Sequence, residues 1–336
     1  MFSAKQFRAL CAVLIGCLCS ASLAIAQPGT VTSSIKAFEN LVYKISPGKS
    51  ELKLDVFLPD TIADKNFPLL IIIHGGGWAL GDKTLETIYY MKKLKQELLN
   101  NGIAVASIDY SLVSKDVHLP TPVEDCKDAI KWLYANATQY NLDTTNFGLW
   151  GGSAGGHLAL LAAYSGKEQF KGDSLLMQYP SQVKYVVDNF GPTEMNDLLR
   201  VDAGKFTTFI FKIFFRKIYN VRERLSFALT GYHLKTDKEK LKEINHACSP
   251  LYYVSENAVP TLIFHGTKDR VVPYAQSEKL KALLDRDHIE NEFVTVAKGD
   301  HGFNNISQEE TDKLVDKTVE FIKGRNKQEG YRLVSH

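Results

Sequence analysis

The residues best placed to do chemistry lie in Phe147-Gly148-Leu149-Trp150-Gly151-Gly152-Ser153-Ala154-Gly155-Gly156-His157-Leu158. Ser153 has a glycine two positions before it and another two after, between an apolar run with strand character and a segment with helix character. A sharp strand-to-helix elbow strains the backbone at its apex and leaves no room for flanking side chains, so glycines belong on both sides. The start of the helix would aim its dipole at the reacting oxygen. A lone Gly-x-Ser-x-Gly is common, and the strand and helix around it make this one specific.

A serine hydroxyl is a weak nucleophile at neutral pH and needs a general base, itself oriented by a carboxylate. Both candidates come later in the chain. Asp269 lies in His265-Gly266-Thr267-Lys268-Asp269-Arg270-Val271-Val272-Pro273, just after the apolar run Thr261–Phe264. His301 lies in Lys298-Gly299-Asp300-His301-Gly302-Phe303, just after Phe293–Val296. Alone, Asp269 reads as a turn-capping aspartate and His301 as a surface-loop histidine. Three placements at strand ends, in the order Ser, Asp, His, favour a triad that could transfer an acyl group. Asp300 is the rival acid, but an immediate sequence neighbour is poorly placed to bond the imidazole. His157 is read as supporting the helix after Ser153 and His265 as bonding locally, while His118, His233, His246 and His288 sit in no motif.

Acyl transfer also needs preformed N–H donors where negative charge develops. The run Leu69–Ile73 leads straight into His74-Gly75-Gly76-Gly77-Trp78, whose glycines let backbone amides approach a substrate. Ala154 N–H at the elbow is the partner donor. The other accounts are a glycine-rich turn that binds nothing and a phosphate cradle. No Gly-Lys-Ser/Thr follows, which disfavours a nucleotide. His74 is expected to brace the loop. Trp78 is a candidate for substrate contact, as are Phe206 and Phe209 of the aromatic segment Phe206–Tyr219, for which packing of the cap against the body is the plainer account. The chemistry calls for no metal and no cofactor.

The elements that must position these residues alternate along the chain. Leu69–Ile73, Ile103–Ile108, Phe147–Trp150, Tyr185–Val187, Thr261–Phe264 and Phe293–Val296 read as buried strands. Glu86–Leu99, Pro122–Tyr140, Ala154–Tyr164, Tyr274–Leu284 and Glu309–Ile322 read as helices, with Thr121 as an N-cap for the second and Asn101-Gly102 closing the first. This alternation predicts an α/β fold with a mostly parallel, doubly wound sheet, in which ligands sit at the carboxyl ends of the strands. Ahead of it, Leu41–Ile45 and Leu52–Leu58 predict an antiparallel edge hairpin turned at Ser46-Pro47-Gly48. From about Thr193 to His246 the rhythm breaks, and an inserted helical cap is expected there.

The chain has 336 residues, of which 45% are hydrophobic and 23% charged, enough for one large domain over residues 27–336. Lys and Arg number 40 against 38 Asp and Glu, which speaks against a nucleic-acid partner. Residues 1–26 differ in kind. Lys5 and Arg8 precede an uncharged run from Ala9 to Ile25 that ends in Ala24-Ile25-Ala26, the pattern of a secretory signal peptide cut after Ala26. Export to the periplasm or medium is expected, with no membrane span remaining after cleavage. The alternatives are an uncleaved anchor and lipidation at Cys17 in Leu14-Ile15-Gly16-Cys17, although the residues after Cys17 stay apolar. Cys126 and Cys248 then remain, read as free and buried, with a disulfide between them as the alternative.

The His-Gly-Gly-Gly-Trp loop, the Gly-Gly-Ser-Ala-Gly-Gly elbow, Ser249-Pro250-Leu251 and His265-Gly266-x-x-Asp269-x-x-Val272-Pro273 together resemble the bacterial esterase/lipase group of α/β-hydrolases. The likeness is to the hormone-sensitive-lipase-like and acetylxylan or feruloyl esterase branches, and it runs from about His74 to His301. Ile108-Asp109-Tyr110-Ser111 fits too, with Ser111 where the group often has Arg. The resemblance implies Gly76 and Gly77 as the loop's oxyanion donors. It implies hydrolysis of short acyl or aryl esters, including those decorating plant polysaccharides. An amide hydrolase on the same residues is the rival reading, and a non-catalytic binding module on a hydrolase fold is the third.

Overall fold

The computed structural model describes residues 36–46, 48, 50–60, 66–202, 216–256 and 258–326, with only the backbone for 216–221 and 326. Residues 1–26, Cys17, Phe206 and Phe209 lie outside the described residues. One sheet of eight strands organises the molecule: β1 (Lys36–Ile45), β2 (Glu51–Leu58), β3 (Phe67–Ile73), β4 (Ala104–Ile108), β5 (Leu142–Gly152), β6 (Tyr185–Asn189), β7 (Thr261–Gly266) and β8 (Asn291–Val296). Their spatial order is β1-β2-β4-β3-β5-β6-β7-β8. The pairs β1·β2 and β2·β4 are antiparallel and all the others parallel. The expected edge hairpin is therefore present, and Ser46 N–H donates to Ser50 O across its turn at 2.8 Å. The α-helices among the described residues are α1 (Tyr89–Asn100), α2 (Thr121–Ala135), α3 (Ala154–Tyr164), α4 (Met195–Leu198), α5 (Arg216–Thr230), α6 (Lys238–Ala247), α7 (Ala275–Arg286) and α8 (Gln308–Asn326).

The central strand shows why the apolar runs are continuous. Leu69, Ile71 and Ile73 of β3 join one core cluster, while Leu70 and Ile72 join the other, and all five are fully buried. With a side-chain period of two, a strand covered on both faces has no polar positions to spare. Helices α1 and α8 cover one face through Leu94, Leu98, Val315 and Ile322. Helices α2 and α3 cover the other through Val123, Ile130, Leu158 and Leu161, joined by Leu280 and Leu284 of α7. Full burial of each Leu or Ile contributes about 1.5–3 kcal/mol.

Differences from the sequence-based expectations are local. β5 begins at Leu142, five residues before the apolar run. The second helix stops at Ala135, where Asn136 turns its side-chain amide back onto Trp132 O at 2.8 Å, rather than continuing to Tyr140. Thr121 is the first helical residue and not the cap, a position taken by Pro120. Cys126 and Cys248 are buried free thiols, which removes the disulfide alternative. Within the stretch 193–246 the described parts are largely helical, comprising α4, α5 and most of α6. No helix among the described residues is long and apolar enough to cross a membrane.

The strand order reverses at β3. The chain steps from β3 outward to β4 on one side and then returns to place β5 on the other. In such sheets the crevice at the reversal, beyond the carboxyl ends of the strands, is where ligands bind. The loop after β3 and the elbow after β5 flank that crevice, with Ile73 opposite Gly151 in register.

Candidate active site

Ser153 stands at the apex between β5 and α3 with φ 55° and ψ −123°, a strained conformation that costs on the order of 1–3 kcal/mol. The packing around it supplies the compensation. A Cβ on Gly151 would lie 2.1 Å from Gly155 O, and a Cβ on Gly155 would lie 2.1 Å from Ile73 O. Helix α3 therefore leaves the elbow with its first turn directly against the backbones of β5 and β3. Ser153 N–H donates to Asn189 O at 2.9 Å, which ties the apex to the end of β6.

The hydroxyl lies 2.8 Å from His301 Nε2, and His301 Nδ1 lies 2.7 Å from Asp269 Oδ2. A carboxylate only accepts, so Nδ1 carries the proton and Nε2 is free to accept from Ser153. The two loops that bring Asp269 and His301 together are stapled to each other. Lys268 N–H donates to Gly299 O at 2.9 Å, Thr267 N–H to Val296 O at 3.1 Å, and Lys298 N–H to Thr267 Oγ1 at 2.8 Å. Asp300, the rival acid, instead accepts from Asn304 N–H at 2.8 Å.

The Asp269 side chain is fully buried. Its Oδ1 accepts from the N–H groups of Val271 and Val272 at 2.8 and 2.9 Å. Burial pushes its carboxyl upward, but hydrogen bonds from His265 and His301 and the attraction of His301 outweigh it and hold the group well below the usual carboxylate range. His265 Nε2 lies 3.0 Å from Val272 O and 3.4 Å from Asp269 Oδ2, while Nδ1 lies 2.7 Å from Ser277 Oγ. His265 thus bonds locally, around the acid.

The loop after β3 turns tightly. Gly76 O accepts from Ala79 and Leu80 N–H at 3.2 and 3.0 Å, and Gly76 has φ 109°. A Cβ on Gly75 would lie 2.8 Å from Gly152 O and 3.5 Å from Ser153 Cβ, so the loop lies against the elbow. The N–H groups of Gly76, Gly77 and Ala154 make no hydrogen bond among the described residues. His74 braces the loop: Nδ1 donates to Gly75 O at 2.7 Å, and its ring stacks on Tyr110 at 4.3 Å.

Trp78 corrects an expectation. It is 4% exposed, and its indole Nε1 donates to His157 Nδ1 at 3.1 Å. That ring is spent inside the protein and is not offered to a substrate.

Three residues of the site escaped sequence reasoning. Phe190, just past β6 at φ 48°, sets its ring against the His301 imidazole at 4.9 Å and against Phe303 at 4.8 Å. Its place at a strand end was the available signal. Ser277 carried none, since it meets His265 only through the fold. Asp188, near the end of β6, is fully buried, with Oδ1 accepting from Gly191 N–H at 2.9 Å and Oδ2 without a hydrogen-bond partner among the described residues. Burial raises it to about 7, against a smaller lowering by His265.

The Ser-elbow fold and its crevice define an α/β-hydrolase. Within that class the chain belongs to the BD-FAE family, whose model matches residues 54–284. It is similar to Esterase LipC of Mycobacterium tuberculosis, 26% identical over 255 residues that cover 75% of this chain and 57% of that protein. It is similar to Esterase LipQ of the same organism, 29% identical over 244 residues, covering 71% and 51%. The chain thus spans about half the length of the curated relatives it matches. Among solved structures, a truncated carbohydrate esterase from gut microbiota shares the fold with a TM-score of 0.66 at 24% identity, covering 89% of this chain and 99% of that one.

The close contacts at the elbow can be tested by adding single methyl groups. Gly151→Ala forces a Cβ into a backbone oxygen and is expected to cost about 3 kcal/mol or more, whereas Gly77→Ala, with open space around its Cβ but φ 58°, costs roughly 1–2 kcal/mol. Urea unfolding of both variants measures the difference. A second test concerns Asp188, which keeps its proton in the folded state up to about pH 7 while the unfolded chain releases it near 3.8. Folding therefore binds a proton in that window, and stability falls as pH rises through it and levels off above. Asp188→Asn cannot ionise, so its advantage over the native protein should grow by about 1.4 kcal/mol per pH unit between roughly pH 4 and 7. Parallel stability-versus-pH curves for the two proteins would rule out the raised value.

Proposed function

We propose that this protein is a serine carboxylesterase that hydrolyses short acyl or aryl esters. The observation that carries the reading is the continuous hydrogen-bond chain from Ser153 Oγ through His301 to Asp269, at 2.8 and 2.7 Å, beside a loop with amides to spare. In the first step Ser153 Oγ attacks the ester carbonyl and His301 Nε2 takes its proton. The N–H groups of Gly76, Gly77 and Ala154 receive the oxyanion. The C–O bond to the alcohol then breaks, and His301 returns the proton to the departing oxygen. Water repeats the sequence on the acyl-enzyme, with His301 again as base, and releases the acid. Asp269, ionised and buried, keeps the imidazole in the required tautomer throughout.

Similarity to two proteins named as esterases supports ester over amide hydrolysis. The fold shared with a protein named as a carbohydrate esterase fits carbohydrate-linked esters as the natural substrates, and the resemblance of the loop and elbow motifs to acetylxylan and feruloyl esterases supports acetyl or feruloyl groups among them. The described helices within residues 193–246, α4, α5 and most of α6, belong to the cap over the crevice in this reading. Lys5, Arg8 and the apolar run to Ala26 support export of the chain with cleavage after Ala26.

Ser153→Ala should abolish turnover of p-nitrophenyl acetate and labelling by a fluorophosphonate while leaving the circular dichroism unchanged. Turnover that survives the substitution would exclude Ser153 as the nucleophile. Across p-nitrophenyl esters, kcat/KM is expected to fall at least about tenfold from acetate to octanoate, the discrimination that one or more methylenes too many for the pocket can produce. Equal rates along the series would overturn the short-acyl assignment. A matched p-nitroanilide should be cleaved far more slowly than the ester, and faster cleavage would favour the amide hydrolase.

A further inference from the structure

Gly76, Gly77 and Trp78 have φ of 109°, 58° and 60°, three left-handed residues in succession. Glycine adopts this region freely, but a tryptophan there is strained and persists only where its surroundings hold it. Two bonds hold Trp78. Its carbonyl accepts from Val113 N–H at 2.9 Å, and its buried indole N–H donates to His157 Nδ1 at 3.1 Å with the rings edge to face at 5.3 Å. Indole nitrogen can only donate, so His157 Nδ1 is the acceptor and Nε2 bears the proton. Nε2 then donates to Cys248 O at 2.7 Å. His157 is fully buried one helical turn beyond Ser153, and its own N–H donates to Ser153 O at 3.1 Å. One neutral imidazole in one tautomer therefore joins three things: the loop carrying Gly76 and Gly77, the first turn of the nucleophile's helix, and the carbonyl that ends α6. Burial of His157, which lowers it to about 4, keeps it neutral in ordinary buffers.

We propose that Trp78 and His157 form a latch that holds the strained loop with its amides turned toward Ser153 Oγ, so that both are positioning residues for oxyanion binding. The proposal rests on the esterase reading above for its catalytic consequence. A donor displaced by an ångström or less loses much of its effect on the transition state while leaving substrate binding nearly untouched.

Three substitutions separate the contacts. Trp78→Phe keeps the ring and removes the donor. His157→Gln can still reach Cys248 O with its amide nitrogen but offers no acceptor where Nδ1 stood, whereas His157→Asn presents its oxygen near that place. Trp78→Phe and His157→Gln should each lower kcat on p-nitrophenyl acetate roughly 10- to 100-fold with KM within about twofold. The double variant should be no slower than the slower single one, and His157→Asn should recover most of the rate. A folded Trp78→Phe protein with native kcat, or effects of the two substitutions that multiply, would overturn the latch. Hydrogen exchange of the Trp78 indole N–H, followed by NMR, gives a readout free of turnover: protected in the native protein and in His157→Asn, unprotected in His157→Gln. Equal protection in all three overturns the latch even if the native protein cleaves no ester. The expected protection pattern without ester cleavage would support the latch and reject the esterase reading alone.

Discussion

The structure depends on a backbone-to-backbone contact at the elbow. Gly151 faces Gly155 O, and Gly155 faces Ile73 O, each too close for a single methyl group. Because β5 turns into α3 within that space, the helix starts beside the end of β3. Ser153 is then forced into the left-handed region with its hydroxyl out in the crevice. A looser turn would move the helix away, and with it Ala154 N–H and the distance to the loop after β3. Strain at one residue is thus the consequence of close packing at its neighbours, and the buried sheet beneath supplies the energy that maintains it.

Around that fixed point the remaining groups are held by short local bonds. The loops after β7 and β8 are joined by three backbone-donated bonds before either side chain is considered. Asp269 receives two backbone N–H groups and faces two imidazoles, so a carboxylate out of water remains ionised. Asp188, a strand away and more deeply buried, receives one N–H and has the opposite response, drawn up to about 7. Two aspartates at the carboxyl ends of neighbouring strands differ because one has several donors around it and the other has a single N–H and deeper burial. His157 shows the same logic for a base: its Nε2–H is accepted by a carbonyl rather than a carboxylate, and burial keeps it neutral.

The site is assembled at five strand ends, those of β3, β5, β6, β7 and β8. Phe190 and Phe303, both at positive φ, meet edge to face, and Phe190 in turn meets the His301 ring. An aromatic wall of this kind restricts the imidazole, which keeps Nε2 on Ser153 and Nδ1 on Asp269 at once. Aromatic rings do this without competing for the nitrogens.

Much of this was legible in the residues themselves. Continuous apolar runs named the strands, because a strand covered on both faces cannot alternate. Glycines around Ser153 named the elbow, because no other residue fits, and the order of Asp269 and His301 after later strands named their loops. Trp78, by contrast, reads as a substrate platform until its indole is seen buried on His157, and nothing local announces the roles of Asp188, Phe190 and Ser277. The partners, His157 for Trp78 and His301 for Phe190, lie 79 and more than a hundred positions away along the chain. Local periodicity and steric need are properties of neighbouring residues, so the sequence by itself determined the fold class, the elbow and the order of Ser153, Asp269 and His301 after β5, β7 and β8. Which aromatic faces the crevice, which histidine meets which nitrogen, and which buried aspartate keeps its charge were decided only by tertiary structure, since hydrogen-bond partners and desolvation arise from packing between distant segments.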